Sequence, residues 1–165
     1  MSNFSFDIVS EVDKSEINNV FDQVKKEIAS RYDFKNTIGG IEWLNDQKSG
    51  FKIIASSEMQ IDSVIDIIRR KLSSRGLSQK LIDTSKELVS SNMRITKELP
   101  FVAGIDKEKA KSLSNALRSE FPKLKIAIIG ESLRINSSSK DELQKVISKT
   151  RVMELDYPVQ FNNFR

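Results

Sequence analysis

Two groups of side chains in this sequence are of a type that can meet phosphate: Arg69, Arg70, Lys71, Arg75 and Lys80, and then Lys107, Lys109, Lys111, Arg118, Lys123 and Lys125. Such groups neutralise phosphates in a salt-dependent way. Acidic residues are interleaved with both, so a solvated helix face accounts for most of this charge. Gly39-Gly40 and Lys48-Ser49-Gly50 lack the spacing and the strand-to-helix placement of a phosphate loop and read as turn residues. The pairs Glu11/Asp13 and Glu154/Asp156 offer oxygen ligands for a divalent cation. They read more simply as a helix cap and solvated surface. Phe4, Phe6, Phe51, Phe161 and Phe164 are the candidates for stacking nucleic-acid bases on a sheet. Phe4 and Phe6 alternate in step with Ile8, which is the pattern of core packing. Residues 125–129 and 133–135 carry no aromatic ring.

What is missing narrows the chemistry further. There is no histidine and no cysteine, which excludes Ser/His/Asp and Cys/His arrangements, disulfides, thiolate metal sites and the commonest general base. No cofactor and no enzymatic activity are expected. The 165 residues carry 27 basic and 23 acidic side chains, a net charge of +4, too small to indicate nucleic acid by itself. With 38 % apolar and 30 % charged residues the composition is that of a soluble globular protein. The N-terminal stretch lacks a basic region followed by an apolar one, and no apolar run reaches membrane-spanning length. A cytoplasmic protein that does not bind membranes is expected.

The elements that must position these side chains occur twice. Shifting by 82 residues puts Phe51 and Ile53 on Leu133 and Ile135, Ser57 on Ser139, Gln60 on Glu142, and Ile61, Val64 and Ile65 on Leu143, Val146 and Ile147. Each copy is a strand of period two, a capping serine and a helix of apolar positions at 3.6-residue spacing. A shift of 93 puts Asp13 on Asp106 and Ile17, Val20, Val24 and Ile28 on Ala110, Leu113, Leu117 and Phe121. Asp at both helix starts can accept from free amides. The shifts differ by 11 residues, the length lost between helix and strand in the second copy.

In order, the pattern predicts a strand at Phe4–Val9, a helix at 14–32, a hairpin of 41–44 with 51–55 and a helix at 58–74 stopped by Gly76. Residues 77–92 read as a polar connection with a short strand at 80–83. A strand at 93–99, a helix at 107–121, a hairpin of 125–129 with 133–135 across Gly130-Glu131, a helix at 140–151 and a strand at 157–164 follow. Each half therefore reads βαββαβ, the order of a four-stranded antiparallel sheet with two helices on one face. The fold class is α+β, a tandem of ferredoxin-like domains. That order occurs with many functions and names none.

Four short motifs are more specific. S-F-D-I-V-S-E-V-D at Ser5–Asp13, R-Y-D-F-K-N at Arg31–Asn36, S-S-R-G at Ser73–Gly76 and Q-F-N-N-F-R at Gln160–Arg165 together resemble the YajQ family of bacterial proteins over essentially the whole chain. The resemblance implies two ferredoxin-like domains whose N-terminal strands are exchanged. One is 12–100, completed by the strand at 93–99; the other is 1–11 with 101–165, completed by the strand at 4–9. It also implies a nucleotide-binding protein, a regulator responsive to a purine nucleotide such as cyclic di-GMP or GTP/ATP. The alternative is an RNA-binding protein for transfer or ribosomal RNA. A regulatory protein partner and a monomer are further expectations. By position the implied nucleotide-binding residues are Ser5, Phe6, Asp7, Arg31, Asp33, Phe34, Lys35, Asn36, Gln160, Phe161, Asn163, Phe164 and Arg165. Arg31, Lys35 and Arg165 would pair with phosphate, Asp7 and Asn36 would bond a base edge, and one phenylalanine would stack. The family commonly has lysine where this chain has Asn162, so one phosphate contact of the pattern is missing.

Overall fold

The computed structural model describes residues 3–165. They divide into two compact units, Val12–Val102 and a second made of the described residues up to Glu11 with Ala103–Arg165. The strands are β1 (Phe4–Val9), β2 (Gly40–Trp43), β3 (Gly50–Ala55), β4 (Val89–Ser91), β5 (Arg94–Pro100), β6 (Lys125–Ile129), β7 (Ser132–Ser137) and β8 (Gln160–Asn162). The α-helices are α1 (Lys14–Ser30), α2 (Glu58–Ser74), α3 (Lys107–Glu120) and α4 (Lys140–Val152).

All four helices begin where side-chain oxygens can satisfy a first-turn amide. Asp13 accepts from Glu16 N, Ser57 from Gln60 N, Asp106 from Lys109 N and Ser139 from Glu142 N. In α2 the Gln60 side chain reaches back to Ser56 N at 3.0 Å, closing a variant of the capping box. The duplicated cap spacing in the sequence is therefore a duplicated hydrogen-bond geometry.

Strand order is β2-β3-β5-β4 in one sheet and β6-β7-β1-β8 in the other, every pair antiparallel. Each sheet has the ferredoxin-like order, but the strand beside the third one comes from the other half of the sequence. β1, at the start of the chain, pairs with β7 and β8; β5, from the middle, pairs with β3 and β4. The N-terminal strands are thus exchanged within one chain.

In the unit 12–102, α1 contributes Ile17, Val20, Val24 and Ile28, and α2 contributes Ile61, Val64, Ile68 and Leu72. They pack on Ile41, Phe51, Ile53 and Leu99 of the sheet. Each such side chain removed from water stabilises the fold by about 2 kcal/mol. In the other unit the same layer is formed by Leu113 and Leu117 of α3 and Val146 and Ile147 of α4, over Phe6, Ile8, Leu133 and Ile135.

The connection 77–92 differs from expectation. Gln79–Leu81 is a turn of 3-10 helix, and Ile82 makes only an isolated bridge to Phe101. The strand is Val89–Ser91, turned into β5 through Asn92 and Met93 at φ 48° and 65°. Positive φ at both turn residues gives the twist that suits a two-residue hairpin. Methionine is an uncommon residue there, which is why no turn signal stood in the sequence.

Candidate functional site

The register of the sheet β6-β7-β1-β8 decides which side chains share a face. Phe6 lies opposite Ile135, and Ile8 opposite Leu133 and Phe161, so these point towards α3 and α4. The alternate residues Ser5, Asp7, Arg134, Asn136 and Asn162 lie on the open face. Asp7 stands opposite Arg134 on one side and Asn162 on the other, which places a carboxylate on one of the two inner strands of the sheet.

That carboxylate is 9 % exposed and well supplied with donors. Arg134 Nε donates to Asp7 Oδ1 at 3.0 Å and Nη2 to Oδ2 at 3.4 Å. Asn163 Nδ2 donates to Oδ2 at 2.9 Å. The Arg134 guanidinium, followed by Asn163, holds the Asp7 pKa below the usual carboxylate range against the opposing effect of burial. Asp7 is therefore an anion at neutral pH, fixed in orientation on both oxygens.

Asn163 reaches Asp7 because the chain bulges just after β8. Asp7 pairs with Asn162, whereas Ser5 exchanges backbone hydrogen bonds with Arg165 at 3.1 and 3.0 Å, so one extra residue is accommodated between. Asn163 has φ 58°, the left-handed conformation that asparagine tolerates better than most residues and that a bulge of this kind uses. Beside the cluster lies a shallow depression of about 410 Å³ lined by Asp7, Val9, Ser10, Glu11, Glu131, Ser132, Asn162 and Asn163. Its walls are carboxylates, amides and hydroxyls. The Gln160 side chain accepts from Glu11 N at 2.8 Å and so ties β8 to the rim.

The phenylalanines of the end motifs lie in the other layer. Phe6 is fully buried, edge-on to Phe161 at 5.8 Å and stacked on Phe164 at 5.7 Å. Phe161 carries the Arg151 guanidinium over its ring. Phe164 alone of the three is substantially exposed, at 60 %. The structure thus brings Ser5, Phe6, Asp7, Gln160, Phe161, Asn163, Phe164 and Arg165 into adjoining strands, with the polar members on the open face and the rings behind.

Arg31, Asp33, Phe34, Lys35 and Asn36 belong to the unit 12–102. Arg31 makes two hydrogen bonds to Asp33, both 2.9 Å, which raise its pKa and lower that of Asp33. Phe34 is 5 % exposed in the core, under Gly39. A Cβ at residue 39 would come within 2.6 Å of the Phe34 ring. Lys35 and Asn36 are exposed, Asn36 at φ 61°. The turn is built mainly by its own contacts.

Three of the five residues of the first basic group pair within their own unit. Arg70 and Lys71 pair with Glu27 at 2.7 and 3.2 Å, and Arg75 pairs with Glu16 at 2.8 Å. These charges join α1 to α2. In the second group, Lys109 lies over the Tyr157 ring and Arg118 bonds a carbonyl, while Lys107, Lys111, Lys123 and Lys125 make no ion pair among the described residues. Among the described residues no group of acidic side chains is disposed to hold a metal, and no helix is long and apolar enough to cross a membrane.

Sequence reasoning missed Arg134, Asn162, Glu131 and Ser132. A signal for Arg134 was present: a charge between Leu133 and Ile135, two apolar residues on a period-two strand, must face away from the core. What the sequence could not show is that Asp7, 127 residues earlier, lies opposite it.

Two exchanged ferredoxin-like units, one with a charged open sheet face, define the class of architecture. The family model described as nucleotide-binding protein YajQ-like matches residues 4–165, and the chain belongs to that family. Relatives include a nucleotide-binding protein of Chloroherpeton thalassium, 40 % identical with 99 % of both chains covered. Another is a nucleotide-binding protein of Nostoc punctiforme, 40 % identical over 99 % of each. A third, from Prochlorococcus marinus, is 42 % identical over 99 % of this chain and 98 % of its own.

Proposed function

We propose that this chain is a non-enzymatic nucleotide-binding regulator that holds a purine nucleotide such as cyclic di-GMP or GTP/ATP on the open face of the sheet β6-β7-β1-β8. The observation that carries this reading is the Asp7–Arg134–Asn163 cluster beside the polar depression. Arg134, oriented by Asp7, and Arg165 offer positive charge to phosphate. Glu11 and Glu131 offer acceptors to the N–H groups of a purine edge, and the amides of Asn162 and Asn163 offer both donors and acceptors. The volume of about 410 Å³ lies in the range of small-molecule sites. The relatives' names, all nucleotide-binding proteins, support the same class of ligand, and a chain without histidine or cysteine suits binding better than turnover.

Within the unit 12–102, Phe34 of the Arg31–Asn36 turn is core and Arg31 is held by Asp33, while Lys35 and Asn36 are exposed. By register, the strand residues on the open faces of the two sheets include no aromatic ring, which favours the nucleotide reading over base stacking of RNA on the sheets. An RNA ligand would have to be held through its phosphates. Titration calorimetry with GTP, ATP, cyclic di-GMP and a single-stranded RNA, each at low and high salt, tests the proposal. One nucleotide should bind at both salts, and Arg134→Ala should weaken it by about tenfold or more, or 1.4 kcal/mol. Binding of RNA alone, fading with salt, or a nucleotide affinity unchanged in Arg134→Ala, would overturn it.

A further inference from the structure

β6, K-I-A-I-I, is an edge strand: its one hydrogen-bonded neighbour is β7. Edge strands expose unpaired backbone groups, and proteins usually blunt them with charge or proline. This one carries a single charge at its start, and Ile128 and Ile129 are 49 % and 44 % exposed. The outward groups can be identified. Arg118 Nη2 donates to the Ile126 carbonyl at 3.2 Å, so Ile126 and Ile128 direct their N–H and C=O groups away from β7, while Lys125, Ala127 and Ile129 bond to it.

The short run Ile126-Ala127-Ile128 reads the same in both directions. An antiparallel pairing of two such edges about Ala127 therefore places Ile126 of each copy opposite Ile128 of the other. Those are the residues with outward backbone groups, so both pairs exchange both hydrogen bonds. A carbonyl oxygen has two lone pairs, so the Ile126 oxygen can keep Arg118 and accept the second copy's Ile128 N–H as well. We propose that β6 is a self-complementary docking edge at which two copies of this chain join, continuing the sheet from one copy into the other, in place of the expected monomer.

The opposed isoleucines lose exposed apolar area on pairing, which favours this register over a shifted one. The interface is small, so association is expected to be reversible and to rise with concentration.

Sedimentation velocity over a wide concentration range is the first measurement. The wild type should pass from monomer to dimer, and Ile128→Lys, placing like charges at the edge, should raise the dissociation constant by about tenfold or more with an unchanged circular dichroism spectrum. The chain has no native cysteine, so Ala127→Cys gives a geometric test. On the two-fold axis, in a non-hydrogen-bonded pair, the two Cα atoms would stand about 4.5 Å apart, within disulfide range. Mild oxidation should link Cys-substituted 127 into a dimer on a non-reducing gel, whereas Lys111→Cys on the exposed side of α3 should stay monomeric. A wild type monomeric at every concentration, a dimer indifferent to Ile128→Lys, or equal cross-linking of both cysteine variants would overturn the proposal.

Discussion

Replacing Asp7 by Asn tests the central cluster, because it keeps the shape and removes the charge. In the native protein both carboxylate oxygens accept, one from Arg134 and the other from Asn163 and Arg134 together. In the variant one oxygen becomes an NH2 group, which faces a donor whichever way the amide turns. The variant thus loses one acceptor, and its remaining bond to Arg134 is no longer charge-assisted on the acceptor side. Hydrogen bonds to charged groups contribute about 1.5–3 kcal/mol against 0.5–1.5 for neutral ones, so a net loss of about 1–2 kcal/mol is expected at neutral pH. The loss must depend on pH. Asp7 has its folded pKa below its unfolded one, so its stabilisation is complete above the unfolded value, about 3.9, and is lost as pH falls through the folded value. Urea unfolding of both proteins, followed by circular dichroism at about pH 7, 5 and 3, should show a gap nearly constant from 7 to 5 and shrinking at 3. A gap that stays constant down to the lowest pH, or the absence of one at neutral pH, would refute the account of Asp7 as a buried anion held by Arg134.

Three other substitutions probe what positions the site. Asn163→Gly removes the bond to Asp7 but keeps the left-handed backbone, whereas Asn163→Ala removes both, so the alanine variant should unfold at lower urea by a further 1 kcal/mol or about that; equal midpoints would argue against a strained bulge. Gly50→Ala should destabilise the unit 12–102 by about 2 kcal/mol or more, because the new Cβ would lie 2.5 Å from the Leu99 carbonyl oxygen, a backbone atom that cannot swing aside; a melting temperature unchanged from wild type would contradict that packing. Ser57→Ala and Ser139→Ala should each cost about 1 kcal/mol through loss of the helix cap, measured by thermal melting, and a loss at only one of the two would show that the repeated caps are not equivalent.

The duplication, the four helices with their caps and the inward rings of β1 were legible in the residues alone. Ser57 and Gln60, or Asp13 with Ile17 and Val20, act within one or two turns of chain, where spacing is geometry. The resemblance carried by the end motifs singled out Asp7, Asn163 and Arg165, which the structure brings together on neighbouring segments of one sheet. Local pattern failed at the connection: Val89–Ser91 is short and wholly exposed, and Asn92-Met93 turns tightly without a glycine. It failed too at Arg134, whose role depends on a strand pairing across most of the chain. By itself, then, the sequence determined the repeated elements, their buried faces and their ends, because these follow from contacts between near neighbours. Only the tertiary structure decided that Arg134 and Asn163 converge on Asp7, that Arg70 and Arg75 pair with α1, and that β6 is left as an open edge. Those are set by register and sheet order, which depend on the burial of whole faces and leave little trace in any one stretch of residues.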